Sequence, residues 1–226
     1  MPLRKFPYFF ASVALLVSIY VAGIWGMNSS FAKELLQKFT SLDSFASLTP
    51  LNLLLTAFLL FVFQKPKDAK LYFWMLLVMV AGFLVEVLGV HTGLIFGNYA
   101  YGEVLGWKLW QVPLLIGVNW WILIHTTCQI TFRWTESSFV QIFFPPLLMA
   151  CIDILIEPIA IKHHFWGWQN NVVPIQNYLA WYFVSLLFSV VYYFLFSKQF
   201  SLEYNPMSFP ILLAQIVFFG VNNFIK

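Results

Sequence analysis

Glu86, Asp153 and Glu157 are carboxylates set inside long apolar stretches, where a bilayer-embedded chain tolerates charge least. They are three of only nine Asp and Glu residues, so a third of the acids would lie in hydrocarbon. An ionised acid at mid-bilayer costs roughly 2.5–3.5 kcal/mol on the insertion scale, and three would cost about 8–10 kcal/mol. Groups that costly are turned inward, shared, or neutralised by taking up a proton. A carboxylic acid kept protonated in a dry pocket is a proton donor. The chemistry these residues suit is therefore acid catalysis on an apolar molecule.

Local geometry refines this. Asp153 and Glu157 are four apart, so on a helix they share a face about 5–6 Å from each other. Two carboxylates that close in a low dielectric do not both ionise easily, and one is expected to hold a proton. Pro158 removes the backbone donor that would bond the Ile154 carbonyl, which predicts a kink or an end to the helix there. Around Glu86, the offsets to Gly82, Gly89 and Gly93 follow the helical period and place all four on one stripe. Small residues beside an acid let a neighbouring helix or a ligand approach closely.

The elements that must hold these acids are membrane spans. Of 226 residues 61% are hydrophobic and 9% charged, against about 25% charged in soluble domains. Seven apolar stretches approach the roughly 20 residues that a span requires: 6–27, 47–63, 70–92, 110–131, 138–161, 176–196 and 206–225. The first follows Arg4 and Lys5 but is longer than the apolar core of a signal peptide, and reads as a retained helix. The expected fold is all-α, one integral-membrane helical domain over 1–226 with about seven transmembrane helices. The net charge of +3 is scattered, without the basic stripe that nucleic acid would require. Cys128 and Cys151 both fall inside spans and read as small buried residues rather than a disulfide.

With the N-terminus in the cytoplasm, Arg4, Lys5, Lys65, Lys67, Lys70, Arg133 and Lys198 face inward. Lys33, Lys38, Lys108, Lys162 and Lys226 then face outward, a modest positive-inside bias for a multi-pass cell-membrane protein. Independently of orientation, Asn52, Asn119 and Asn177 come early in even-numbered spans, while Glu86, Asp153, Glu157 and Asn222 come late in odd-numbered ones. All seven thus lie in one half of the bilayer, under loops 93–109 and 162–175, which are rich in Gly, Trp, Tyr and His. One polar pocket roofed by those loops accounts for this more simply than separate interhelical pairings, with the other half nearly all apolar. A weak internal repeat adds to the picture. Leu84-Val85-Glu86 leads through an aromatic loop to Val112-Pro113 and Asn119-Trp120; Leu155-Ile156-Glu157 leads through another to Val173-Pro174, Asn177 and Trp181. The repeat sets Glu86 opposite Glu157 about a pseudo-axis.

These segments resemble the membrane carotenoid biosynthesis protein family, which includes the carotenoid 1,2-hydratases and bisanhydrobacterioruberin hydratase. The resemblance rests on Glu86-Val-Leu-Gly-Val-His-Thr-Gly93, Phe96-Gly-Asn-Tyr-Ala-Tyr101 and Val112-Pro113. A second signature is Asp153-Ile-Leu-Ile-Glu157-Pro158-Ile-Ala160, followed by Trp166-Gly-Trp168, Val173-Pro174, Asn177 and Trp181. The chain departs from the expected pattern at His163-His164-Phe165, where a glycine would stand near the tryptophans. The resemblance implies a cofactor-independent enzyme that hydrates the terminal isopropylidene double bond of a linear carotenoid drawn from the lipid phase.

The residues suit that chemistry on their own terms. Hydrating a trisubstituted alkene needs a proton donor, a shielded tertiary carbocation and a positioned water. Asp153 or Glu157 is the expected acid and Glu86 the group that positions water, with Asn119 or Asn177 orienting it. Tyr99, Tyr101, Trp168 and Trp181 are candidate aromatic faces for the cation, and His91, just beyond Glu86, could tune its proton. Asn52 and Asn222 read as interhelical bonds, His125 as a satisfied core histidine, His163 and His164 as loop residues, and Trp107, Trp110, Trp166 and Trp168 as pocket roof or interfacial belt. No HxxxH or ExxH spacing supports a metal site. A retinal-type protein would need a lysine inside the last span, where only Lys226 stands at the end. The other readings are a carotenoid cyclase using the same protonation and a proton-coupled transporter.

Overall fold

The computed structural model describes residues 6–40, 42–196 and 203–225. Seven apolar runs form long helices: α1 (Phe6–Asn28), α3 (Thr49–Phe63), α4 (Ala69–Thr92), α5 (Leu115–Trp134), α6 (Ser138–Lys162), α7 (Ile175–Phe196) and α8 (Ser208–Phe224). The protein is an all-α polytopic membrane protein, as expected. Among the described residues, however, five of the seven anticipated spans (α1, α3, α4, α6 and α7) are long and apolar enough to cross a membrane, α5 being too polar and α8 shorter. Local signals set the ends. Asp68 caps α4 by accepting the Leu71 amide at 2.9 Å, and Gly93 closes the same helix in the left-handed conformation, φ 66°. Pro158 does not end α6, which runs on to Lys162; the helix tolerates the lost donor because its neighbours hold it. Arg4, Lys5, Lys198 and Lys226, four of the charges used to orient the chain, lie outside the described residues.

One helix escaped the span search. α2 (Ser30–Phe39) is ten residues long, begins on a Ser29 side-chain cap, and exposes Phe31, Leu35 and Phe39 at helical spacing. It is too short and too polar on one side to cross a bilayer.

The bundle is built around α5, which packs against α3, α4, α6, α7 and α8. Every residue from Trp120 to Thr131 is buried, including His125, Thr126, Thr127 and Gln129. The outer faces carry Leu, Phe and Val instead. A polar pole inside an apolar jacket is the arrangement a lipid solvent favours. Around this pole, α4–α5 and α6–α7 form two hairpins whose connections meet. In those connections β1 (Tyr99–Tyr101) pairs antiparallel with β4 (Trp166–Trp168), Tyr99 opposite Trp168 and Tyr101 opposite Trp166. A second small ribbon joins β2 (Lys108–Leu109) to β3 (Val112–Pro113). The repeat anticipated from sequence is thus expressed as two helical hairpins bound loop to loop.

The end of the bundle away from these loops is not apolar, contrary to expectation. Trp74 Nε1 donates to His125 Nδ1 at 3.2 Å, and His125 Nε2 faces Gln64 Oε1 at 3.0 Å, which sets the imidazole tautomer. Asn205 Nδ2 donates to Gln64 Oε1 at 3.1 Å, its backbone N–H donates to Gln129 Oε1 at 2.9 Å, and Gln129 Nε2 donates to Tyr192 Oη at 2.9 Å. His125 is therefore the satisfied core histidine that was expected. The expectation missed the network because its members are single polar side chains scattered over five segments of the chain.

The seven polar residues also do not share one pocket. Asn52 bonds Tyr20 of α1 and accepts from Thr56 Oγ1 at 3.4 Å, and Asn222 accepts from Asn28 Nδ2 at 2.6 Å. Both bond helix to helix, as their own residue types suggested. Cys128 is buried but Cys151 is exposed on the apolar face, and both are free.

Close backbone approach decides one packing contact. A methyl group on Gly117 of α5 would stand 2.3 Å from the Met79 carbonyl oxygen of α4, whereas one on Gly220 of α8 would meet nothing within 4 Å. Gly117→Ala should therefore cost about 1–3 kcal/mol of stability. Gly220→Ala should be neutral or stabilise by about 0.5–1 kcal/mol through helix propensity. Thermal unfolding of the two variants in detergent reads the difference directly.

Candidate active site

Each half of the pseudo-repeat delivers one glutamate to the space beneath the β1–β4 ribbon, and each glutamate is met by three neutral donors. Glu86, from α4, accepts Tyr99 Oη at 2.5 Å and Tyr101 Oη at 2.8 Å on Oε2, and Trp120 Nε1 at 3.0 Å on Oε1. Glu157, from α6, accepts Trp168 Nε1 at 2.7 Å and Trp166 Nε1 at 3.0 Å on Oε2, and Asn177 Nδ2 at 3.2 Å on Oε1. The donors occupy matching positions. Two come from alternate residues of the paired strand, where the period of two puts them on one face. The third comes from the first turns of the following helix. Asn177 also donates to Asp153 Oδ2 at 2.6 Å, so one amide bridges the two acids of α6. Asp153 is fully buried, and its Oδ1 has no hydrogen-bond partner.

The carboxylates line a cavity of ≈20 Å³, which is room for about one water molecule. Tyr99, Tyr101, Trp166 and Trp168 form its roof, and the indoles of Trp120 and Trp181, stacked at 4.4 Å, form its floor. Glycines set this spacing. A side chain at Gly82 would strike the Trp120 ring at 2.7 Å, and one at Gly89 would strike Phe96 at 2.5 Å. The stripe beside Glu86 thus admits the rings that close the site. Asn119 lines the cavity and has no hydrogen-bond partner among the described residues. Among the described residues no lysine or arginine lines the cavity, and the acids are held by hydrogen bonds.

A family model for carotenoid biosynthesis proteins matches residues 48–225. The chain belongs to the carotenoid biosynthesis protein family. It is 26% identical over 153 residues to the bisanhydrobacterioruberin hydratase of Haloarcula japonica, a match covering 62% of this chain and 52% of that one. The chain thus spans about half the length of that curated relative. No solved structure matches it.

Within this carotenoid-family protein, the expected residues are placed unequally. Glu86, Glu157, Asn119, Asn177, Tyr99, Tyr101, Trp168 and Trp181 line one cavity. Asp153 sits behind Asn177 rather than on the cavity wall. His91 is exposed, its Nδ1 against the Val87 carbonyl at 2.9 Å. Five residues past Glu86 is about 140° around the helix, so it faces elsewhere. Trp120 and Phe96 were not singled out as site residues, and Trp166 was read as pocket roof or interfacial belt. The Trp-x-Trp alternation signalled Trp166, because both rings of such a pair share a strand face. Trp107 and Trp110 are exposed and do not line the cavity. At the departure from the family pattern, His164 takes φ 57°, the left-handed conformation that explains why a glycine is expected there.

The roof phenols are held in the donor form. Burial first, and the nearby Glu86 carboxylate second, raise Tyr99 and Tyr101 above the ordinary value of 10.0. The neutral phenol is the favoured form, so both remain donors to Glu86 at pH values where an exposed tyrosine ionises. Ultraviolet titration of folded protein through pH 10 should show no phenolate lost on Tyr99→Phe or Tyr101→Phe. A missing phenolate in either variant would mean that its ring opens to solvent.

Proposed function

We propose that this protein is a carotenoid hydratase, adding water across the terminal isopropylidene double bond of a linear carotenoid to give a tertiary alcohol. The observation that carries the reading is the pair of glutamates facing one water-sized, aromatic cavity in the lipid-embedded part of the bundle. Family membership and the name of the Haloarcula japonica relative support it. Glu157 is the proton donor. Its neighbour Asp153, one turn earlier and bridged to it by Asn177, disfavours full ionisation of the pair. The proton goes to the less substituted alkene carbon, and the tertiary cation that forms lies between two carboxyl groups and the indole faces of Trp168 and Trp181. Glu86 takes a proton from the attacking water, which Asn119 orients. The C–O bond then forms, and a proton passes from Glu86 back to Glu157 to reset the site.

A cyclase using the same protonation would let a neighbouring double bond, rather than water, trap the cation. Product mass separates the two, because hydration adds a water and cyclisation adds nothing. Positioned acids and bases contribute about 10²–10⁴-fold. Glu157→Gln and Glu86→Gln should each therefore lower hydroxylated product by roughly a hundredfold or more while the folded protein is recovered. Asp153→Asn, one step removed from the cavity, should lose less. Liquid chromatography of pigments made by purified protein with lycopene measures all three, and full activity in all of them would refute the assignment.

A further inference from the structure

The cavity holds about one water, so a carotenoid end reaches it only through a wall that opens. Three of the boundaries are sealed. Above, β1 pairs with β4, Gln169 N–H bonds the Asn98 carbonyl at 2.9 Å, Gln176 Nε2 bonds the Leu94 carbonyl, and Gly97 packs on Pro174. Below, Trp120 stacks on Trp181 and meets Phe188 edge to face. To one side, α5 and α6 pack along each other, with α8 laid over both.

The pseudo-repeat makes the fourth boundary informative. If α4–α5 corresponds to α6–α7, the α5–α6 seam corresponds to the seam between α7 and α4. That mate is not packed alike: α4 and α7 touch sparingly, and no described helix covers them. Their facing stripes are legible from ring contacts. Trp74 of α4 meets Phe188 and Tyr192 of α7 edge to face, which closes the seam at the end away from the loops. Offsets of 4, 7 and 11 carry the same α4 stripe from Trp74 to Val78, Ala81 and Val85. On α7 the stripe from Phe188 runs back to Val184 and Ala180. Ser185 and Ser189 turn to the other side, where Ser189 Oγ bonds the Gln141 carbonyl of α6. Beside the cavity the seam is therefore made of Ala81, Val85, Ala180 and Val184, all partly buried. Leu84, Leu88, Phe183 and Leu187 flank it with exposed apolar faces.

We propose that the linear carotenoid reaches Glu86 and Glu157 sideways from the lipid, between α4 and α7, with its polyene lying over Ala81, Val85, Ala180 and Val184. The portal rests on the hydratase reading for the identity of its occupant. An apolar polyene needs no aqueous route, and small side chains here leave width for a flat conjugated chain. The aromatic closure at Trp74, about 18 Å along α4 from Glu86, bounds the seam at its far end.

The test uses the full chain with Cys151→Ser, which leaves buried Cys128, and with Ala180→Cys added. The new thiol is labelled with methyl or benzyl methanethiosulfonate and later released with dithiothreitol. Two quantities are read with lycopene in micelles: hydrated product, and induced circular dichroism of the bound polyene. Leu179→Cys, on the exposed face of the same helix, is the control, and Val85→Cys replaces Ala180→Cys if that variant does not fold. The benzyl adduct at 180 should lower both readouts by roughly ten- to a hundredfold, the scale on which a misplaced substrate loses rate. The methyl adduct and the control adducts should not, and reduction should restore both. A benzyl adduct at 180 that leaves both intact, a control adduct that is equally harmful, or unlabelled protein that takes up no lycopene overturns the portal. Uptake that is blocked at 180 without any hydrated product in unlabelled protein upholds the portal and defeats the hydratase reading.

Discussion

Two carboxyl groups buried with no cation beside them are the constraint on which this fold turns. A lone buried charge is paid for by a partner ion or by hydrogen bonds, and here only the second is present. Three neutral donors converge on each glutamate, and supplying them dictates much of the architecture. Two donors per acid come from a strand, whose alternate residues present two ring polar groups to one point. The third must come from the next helix, which fixes the distance between that helix and the acid. The paired loops are therefore structural members of the site rather than a lid added to it. Removing a ring donor leaves a carboxyl lone pair dry, a penalty of about 1–3 kcal/mol and more if the group is charged.

The pseudo-two-fold arrangement explains how one short sequence pattern provides this twice. Each half is a helix ending near a glutamate, an aromatic strand, and a helix beginning with polar and indole side chains. Phenols serve Glu86 where indoles serve Glu157, and Trp120 serves where Asn177 serves. This substitution of donors breaks the symmetry chemically. Asp153 breaks it further, because the matching position on α4, four before Glu86, is Gly82. One half thus carries an acid pair bridged by an amide, and the other a single acid beside an indole that fills the space left by a glycine. Distinct proton-giving and proton-taking roles need such an asymmetry.

The acids, the two loops and their relation by a repeat were legible because each is a local pattern: charge in an apolar run, glycine at helical offsets, and aromatics at alternate positions. The ribbon between β1 and β4 was not legible, since pairing between residues about 67 positions apart leaves no local trace. The depth argument collected Asn52 and Asn222 with the acids because depth along a helix says nothing about the direction a side chain points. His91 failed for the same reason in another form. Nearness in sequence placed it by Glu86, and five residues of helical rotation turned it away. The network of Gln64, His125, Asn205 and Gln129 stayed hidden because amides in apolar runs look alike whether they bond one another or nothing. α5 concealed its role differently: it is the least apolar of the long helices because it touches the most protein and the least lipid.

That second network also bears on what the bundle can do. A transport path needs polar groups that exchange partners with a moving ion or solute, and so groups with unused capacity. Around His125 the imidazole and amide groups are spoken for. Both ring nitrogens, the Gln64 amide, and the Gln129 amide are engaged with partners on different segments, and the cluster ties the α3–α4 turn to the start of α8. Between it and the glutamates lie the stacked indoles of Trp120 and Trp181 and the ring of Phe188. Beside the acids, one oxygen of Asp153 is left without a partner, just behind the cavity wall on which Asn119 stands. Two glutamates facing one cavity, parted from the engaged amides and imidazole by a wall of aromatic rings, suit a site that changes a molecule in place rather than one that passes it across.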